Sequence, residues 1–330
     1  HMHSIPQALY NFQSFSLFCF MVILGVLKHA GHMMPHPRQM PISAKHQMGK
    51  AIITTGDLPG FSFKSGSNPR LIISSPHSGR NYPHDFLPST CRRLDELRQV
   101  EDAFMDILLT KHPLNAMLIH ADFPRSFVDV NRRSDELEPH LFTHLQDDIT
   151  VKTSRYTKAG LGVIPSQISR QKPIYSHKLH PDERERRMTA CYAPYHQQIK
   201  TMINTGLSTG TVILLDIHSM PSQITSGSAD IVIGTCHGQS APAWLSTWIC
   251  DHFISKGLKT QMNSPFSGGY ITRHYGKPKD NVFAIQIEIN RRLYMNERQL
   301  QLLPEWDSLA DMLANMINTI SQMMLTDNAL

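Results

Sequence analysis

Residues 211–222, TVILLDIHSMPS, end a short apolar run with Asp216, His218 and Ser219, side chains suited to metal or acid–base chemistry. Asp216 and His218 are two apart, so an extended chain aims them the same way. A carboxylate beside an imidazole fixes its tautomer, a usual arrangement behind a metal-binding histidine. A second apolar run, LIISS at 71–75, leads into Pro76-His77-Ser78-Gly79. A third, VFAIQIEI at 282–289, carries Glu288 near its end. Catalytic zinc usually takes three protein ligands and leaves one position open. His77 and His218 would supply two, and the third should be a carboxylate. Glu101, Asp102 and Asp106 fall together in the sequence, with Asp102 and Asp106 one helical turn apart.

Each of these residues also has a bland reading. A strand-end histidine can simply be solvated, acids on a helix serve solubility, and a half-buried strand would turn Gln286 and Glu288 to water. The functional reading of Glu288 is a carboxylate that takes a proton from water and later returns it. Arg132 and Arg273 offer planar forks for a substrate carboxylate, against the commoner fate of a surface ion pair. A serine hydrolase is disfavoured, because Ser78 in PHSGR lacks the GxSxG setting of a nucleophile elbow.

Strands and helices must position these groups. The apolar runs predict strands over 71–75, 117–120, 126–130, 212–215, 230–234 and 282–289. Helical spacing predicts helices over 93–112, 181–205, 243–255 and 305–324. Residues 135–158 are polar and turn-rich, a long surface loop or a lid. Strands alternating with helices predict an α/β protein with a largely parallel sheet covered on both faces. Ligands in such sheets bind at the carboxyl ends of the strands, where His77 and His218 fall.

Composition bounds the remaining choices. The chain has 330 residues, 41% of them hydrophobic, ample for a sizeable core. Its net charge of +5 is mild and the basic residues are scattered; Arg184, Arg186 and Arg187 sit among Asp182, Glu183 and Glu185. Nucleic-acid binding lacks its electrostatic footprint. Cys19, Cys91, Cys191, Cys236 and Cys250 form no CxxC pair and read as free thiols of a reducing compartment. Residues 1–60 are expected to be an extension: a tag-like His1-Met2, an apolar run at 15–27 and a polar lead-in. Thirteen apolar residues are too few for a comfortable membrane span. The expectation is a cytoplasmic protein with one catalytic domain over 61–330, or an exported one if 15–27 is a signal peptide. No membrane partner is expected.

Seven segments in series then carry a resemblance: PHSGRNYP (76–83), EDAFMD (101–106), FPRSFVDVNRR (123–133), GLGVIP (160–165), LLDIHSMPS (214–222), GGYITRHYGKP (268–278) and AIQIEINRRLYM (284–295). Together they resemble the N-formylglutamate amidohydrolase family, over residues 68 to 324. The family is similar in turn to zinc carboxypeptidases. That likeness implies a three-layer α/β/α sandwich around a mixed, largely parallel sheet, of the zinc-exopeptidase and phosphorylase/hydrolase kind. It implies one Zn2+ per chain held by His77, His218 and a carboxylate. Carboxypeptidases place a ligating Glu three residues after the first histidine, where this chain has Arg80. The matching segment EDAFMD makes Asp102 the favoured third ligand, with Glu101 the alternative.

By the same resemblance Glu288 is the general base and Asp216 supports His218 from behind. Asn131 and Arg132 hold the substrate α-carboxylate, Arg273 a side-chain carboxylate, and Tyr270 and Ser219 complete the substrate contacts. The implied reaction is hydrolysis of N-formyl-L-glutamate to formate and L-glutamate. The alternatives are a zinc amidohydrolase acting on another N-acyl amino acid or short peptide, and a metal-free binding protein. The expected partner is therefore a small N-formyl or N-acyl amino acid.

Overall fold

In the computed structural model, which describes residues 49–145, 148–169, 171–225 and 227–326, the apolar runs pair into a seven-stranded sheet. Its strands are β1 (Phe61–Lys64), β2 (Leu71–Ser75), β3 (Met117–Ala121), β4 (Val212–Met220), β5 (Ile231–Gly234), β6 (Thr260–Met262) and β7 (Val282–Asn290). They lie in the order β6-β5-β7-β4-β2-β3-β1. β7, β4, β2 and β3 are mutually parallel, while β5 runs antiparallel to β7 and β1 to β3. The expected mixed, largely parallel sheet is what forms.

Every residue of β4 is buried, because strands flank it on both edges and helices cover both faces. Alternation along the strand sorts its side chains between two cores. Val212 and Leu214 pack in one core with Ile199 and Met202 of α3 (Ala193–Leu207), which continues α2 (Pro181–Arg187). Ile213, Leu215 and Ile217 pack in the other, with α1 (Met105–Thr110), α4 (Ala243–Ile254) and α6 (Trp306–Thr326). A short helix, α5 (Tyr270–Tyr275), caps the first core near β7. Each fully buried Leu or Ile contributes about 1.5–3 kcal/mol, so the two cores hold the three layers together.

Three sequence expectations are corrected. The helix over 93–112 is broken: Leu94–Leu97 is helical, Arg98–Val100 is a 3-10 turn, and α1 begins only at Met105. Between them the Asp102 N–H donates to the His77 carbonyl at 2.9 Å, and Phe104 takes φ 68°. A tertiary hydrogen bond thus replaces an intrahelical one. Residues 126–130 form a loop rather than a strand, since Pro124 starts a turn closed by the Phe127 N–H at 2.9 Å. The helix over 181–205 bulges into a π turn at Met188–Tyr192; Pro194, just beyond, has no N–H to continue the regular ladder.

Residues 135–158 contain two short 3-10 turns among those described, Pro139–Leu141 and Thr157–Ala159. Ile52–Thr54 pairs in parallel with Asn81–Pro83, just after His77. Cys91, Cys191, Cys236 and Cys250 are free thiols. The apolar run at 15–27 and Cys19 lie outside the described residues. Among the described residues no helix is long and apolar enough to cross a membrane.

Candidate active site

Three sheet-end segments and one loop bring the polar groups together. His77 follows β2, Asp216 and His218 lie on β4, Glu288 lies on β7, and Asp102 sits in the break before α1. The loop after β2 is pressed onto its neighbour: a Cβ on Gly79 would stand 2.1 Å from the Phe123 carbonyl oxygen. That closeness, with the His77 carbonyl bound to the Asp102 N–H, sets His77 directly over Asp102.

His77, Asp102 and His218 are all buried, with one candidate ligand atom from each lying within 4.8 Å of the others. Asp102 Oδ2 lies 3.0 Å from His218 Nδ1 and 3.4 Å from His77 Nδ1. The opposite ring nitrogens are taken by carboxylates: His77 Nε2 donates to Asp129 Oδ1 at 2.8 Å, and His218 Nε2 to Asp216 Oδ2 at 2.9 Å. An ionised carboxylate only accepts, so both Nε2 atoms carry hydrogen, and in the neutral rings both Nδ1 atoms present lone pairs. Those lone pairs face a carboxylate oxygen, an arrangement that calls for a proton or a cation between them. His77 Nδ1 is buried and makes no hydrogen bond. Two imidazole nitrogens and one carboxylate, backed by two further carboxylates, form a donor set that can hold a metal ion.

The electrostatics follow. Burial would raise Asp102, yet the imidazoles of His218 and His77 facing it hold it well below the usual carboxylate range. Burial opposes charge on His218, but Asp216, Asp102 and Glu288 together raise it well above an ordinary histidine. Asp129 is held low against burial by Arg125 and Arg132. Burial pushes Glu288 up to about 7, with His218 pulling the other way. Glu288 is the direct neighbour of His218 across the parallel β7–β4 pair. Its Oε1 accepts from Gln286 Nε2 at 2.7 Å, and Gln286 Oε1 accepts from the Gly269 N–H at 2.6 Å.

Asp102 and Glu101 face different surroundings. Glu101 accepts from the Tyr82 hydroxyl at 2.7 Å and from Arg98 Nε at 3.1 Å, away from both histidines. Asp106 pairs with Arg80 at 2.6 Å, so the two acids predicted to share a helix face point to separate places. Ser219 Oγ donates to Asp102 Oδ1 at 3.1 Å. Asn131 Oδ1 accepts from the Ile271 N–H at 2.8 Å, and its Nδ2 lies 3.1 Å from His218 Nε2. Arg132 stacks on Tyr156, 3.9 Å from the ring centre, and donates from Nε to the Leu161 carbonyl at 2.9 Å.

His77, Asp102, Asn131, Arg132, His218 and Glu288 line one cavity of about 1040 Å³. Arg273 and Tyr270 are placed elsewhere. Arg273 is exposed, with Nη2 3.5 Å from the Gly268 carbonyl oxygen. Tyr270 packs on His196 and His274, at 5.5 and 4.8 Å between ring centres. Neither side chain lines the cavity.

Sequence reasoning gave no role to Asp129, Arg125, Gln286 or Arg291. Asp129 also accepts from the Asn131 N–H at 2.8 Å and from Arg125 Nε at 2.9 Å. Arg291 donates from Nε to Ser219 Oγ at 3.0 Å and from Nη2 to the Glu101 carbonyl at 2.6 Å, bracing Asp102 from behind. The Asp-x-Asn spacing of 129 and 131 was the available signal, since an aspartate commonly bonds the N–H two residues on.

A three-layer α/β fold with buried, carboxylate-backed histidines at its strand ends defines a hydrolase-like architecture. Comparison with known proteins narrows it. The chain belongs to the N-formylglutamate amidohydrolase family, whose model matches residues 69–295. It is 29% identical over 250 residues to the N-formylglutamate deformylase of Pseudomonas aeruginosa strain PAO1, covering 72% of this chain and 86% of that one. The N-formylglutamate deformylase of Pseudomonas putida is 28% identical over 256 residues, with the same coverage of 72% and 86%. The crystal structure of N-formylglutamate amidohydrolase from Ralstonia eutropha JMP134 superposes with a TM-score of 0.74 at 28% identity, covering 80% of this chain and 98% of that one.

Proposed function

We propose that this protein hydrolyses the amide bond of an N-formyl amino acid, N-formyl-L-glutamate by the names of its relatives, to formate and the free amino acid. The observation that carries this reading is the pair of buried histidines whose Nδ1 atoms converge on Asp102 while carboxylates hold both Nε2 atoms. His77, Asp102 and His218 would hold a Zn2+ ion, which when bound polarises a carbonyl and acidifies a water.

The chain's own residues account for the rest. Glu288, raised to about 7 by burial, takes a proton from the attacking water and passes it to the nitrogen as the C–N bond breaks. The new C–O bond makes formate, and the proton completes the amine. Gln286 holds Glu288 on its acceptor side, so the carboxylate keeps one orientation. Arg132 spends Nε and Nη1 on the carbonyls of Leu161 and Asn131, at 2.9 Å each. The rest of its guanidinium borders the cavity, where it would bind the substrate carboxylate and fix the amide carbon near the histidines.

The test combines elemental analysis with formate release from N-formyl-L-glutamate. About one zinc per chain, lost together with activity in His218→Ala, is the expected result. Protein that takes up no zinc, or that turns over equally well without it, overturns the metal assignment. Arg132→Ala should raise KM well above its effect on kcat; an unchanged KM removes the carboxylate role.

A further inference from the structure

The proposed substrate is a diacid, and Arg132 accounts for one of its carboxylates. Arg273, expected to hold the other, is exposed and does not line the cavity. The second carboxylate therefore needs another cation. Four arginines of the cavity wall are spent on acids of the protein. Arg98 pairs with Glu101 at 3.1 Å, Arg125 with Asp129 at 2.9 Å, Arg291 with Asp102 at 3.4 Å and Arg292 with Asp230 at 2.6 Å. Arg155 and Arg298 also line the cavity, and neither forms an ion pair among the described residues.

Of these two, Arg155 is tied to the anchor. Its guanidinium carbon stands 4.8 Å from the centre of the Tyr156 ring, and its Nη2 donates to the Tyr156 hydroxyl at 2.8 Å. Arg132 lies over the same ring at 3.9 Å. The two guanidinium carbons can be no further apart than the sum of those two ring distances. A glutamate separates its carboxyl carbons by four C–C bonds, about 5 Å when extended. Each carboxylate stands one hydrogen bond, about 2.8 Å, beyond its fork, so the diacid bridges two forks at that spacing.

The order of contacts fits the substrate. His77 Nε2 meets Asp129 at 2.8 Å, Asp129 meets Arg132 at 3.8 Å, and Tyr156 links Arg132 to Arg155. Amide, α-carboxylate and side-chain carboxylate follow one another in the same sequence along the substrate. The charge fits as well. Asp129 is shared by Arg125 and Arg132, and Arg155 adds a third guanidinium, so this wall suits a dianion. The ring contact and hydrogen bond hold the Arg155 fork in place beforehand, which lowers the ordering cost of binding.

We infer that Arg155 binds the side-chain carboxylate of the substrate and sets the preference for an acidic N-formyl amino acid over a neutral one. This deepens the proposed function and rests on Arg132 as the anchor of the α-carboxylate.

The test measures kcat and KM of the zinc-loaded full chain on N-formyl-L-glutamate and on its neutral isostere N-formyl-L-glutamine. The parent protein should prefer glutamate by about tenfold or more in kcat/KM. Arg155→Gln should bring that ratio down toward one, through a higher KM for the glutamate substrate. Arg155→Lys, which keeps the charge and loses the fork, should give an intermediate ratio. Arg298→Ala should keep the parent ratio, with circular dichroism confirming the fold of each variant. A parent-like ratio in Arg155→Gln, or a ratio lost in Arg298→Ala instead, overturns the inference and leaves the proposed function standing. Equal turnover of both substrates by the parent protein does the same. No turnover of either substrate overturns the proposed function, and this inference with it.

Discussion

Asp102 and His218, 116 residues apart in the chain, meet with Oδ2 3.0 Å from Nδ1, both side chains buried. The same oxygen faces His77, so one carboxylate joins two imidazoles whose far nitrogens are already held. Everything else in the candidate site is arranged around that contact.

The carboxylates behind the histidines should tune the centre without touching its ligand. Asp216→Asn and Asp129→Asn each weaken the hold on one ring. Each is expected to lower zinc affinity about 10–100-fold, read by competition with a chromogenic chelator. Affinity equal to the parent protein in both variants would show that the rings need no such support.

Glu288→Gln removes the proton acceptor and keeps the shape. With zinc uptake retained, kcat on N-formyl-L-glutamate should fall about 10²–10⁴-fold. A variant that keeps full kcat removes Glu288 from the proposed chemistry.

Gly269 has no room for a side chain. A Cβ there would stand 2.3 Å from Asn131 Nδ2, and the residue's N–H holds Gln286. Gly269→Ala should cost about 1–3 kcal/mol of stability by overpacking and lower activity by displacing Asn131. Urea unfolding and formate release check both; parent-like values in each would show that the turn yields easily.

His196 supplies a pH dependence. Its Nε2 donates to the Val130 carbonyl at 2.9 Å and its Nδ1 accepts from the Tyr275 hydroxyl at 2.8 Å. Burial pushes its pKa down to about 3, with the Val130 carbonyl partly offsetting this. The unfolded chain, titrating near 6.5, therefore binds this proton first as pH falls. Stability from this group is complete above the unfolded value and declines from about pH 6.5 toward 3, by on the order of 5 kcal/mol in full. The parent protein should lose stability between pH 7 and 4 more steeply than His196→Gln. Parallel slopes in the two proteins would remove His196 as the cause.

Residue types and short-range pattern determined much of this protein. β2, β4 and β7 are legible because strands buried on both faces read as continuous apolar runs. Asp216 and His218 are legible as partners because alternation in a strand puts residues two apart on one side. The tertiary structure decided what depends on distant backbone. Apolar spacing over 93–112 reads as an unbroken helix, and the His77 carbonyl breaks it at Asp102, separating that carboxylate from Glu101 and Asp106. The pairing of Asp129 with His77 and of Arg291 with Ser219 carries no periodic signal, because those partners lie on other segments. Arg273 and Tyr270 share a short motif with the Gly-Gly turn, yet neither lines the cavity, while Gly269 stays against Asn131. Local sequence sets which way a side chain faces on its own element. Which groups meet across elements is decided only when the sheet and its loops close.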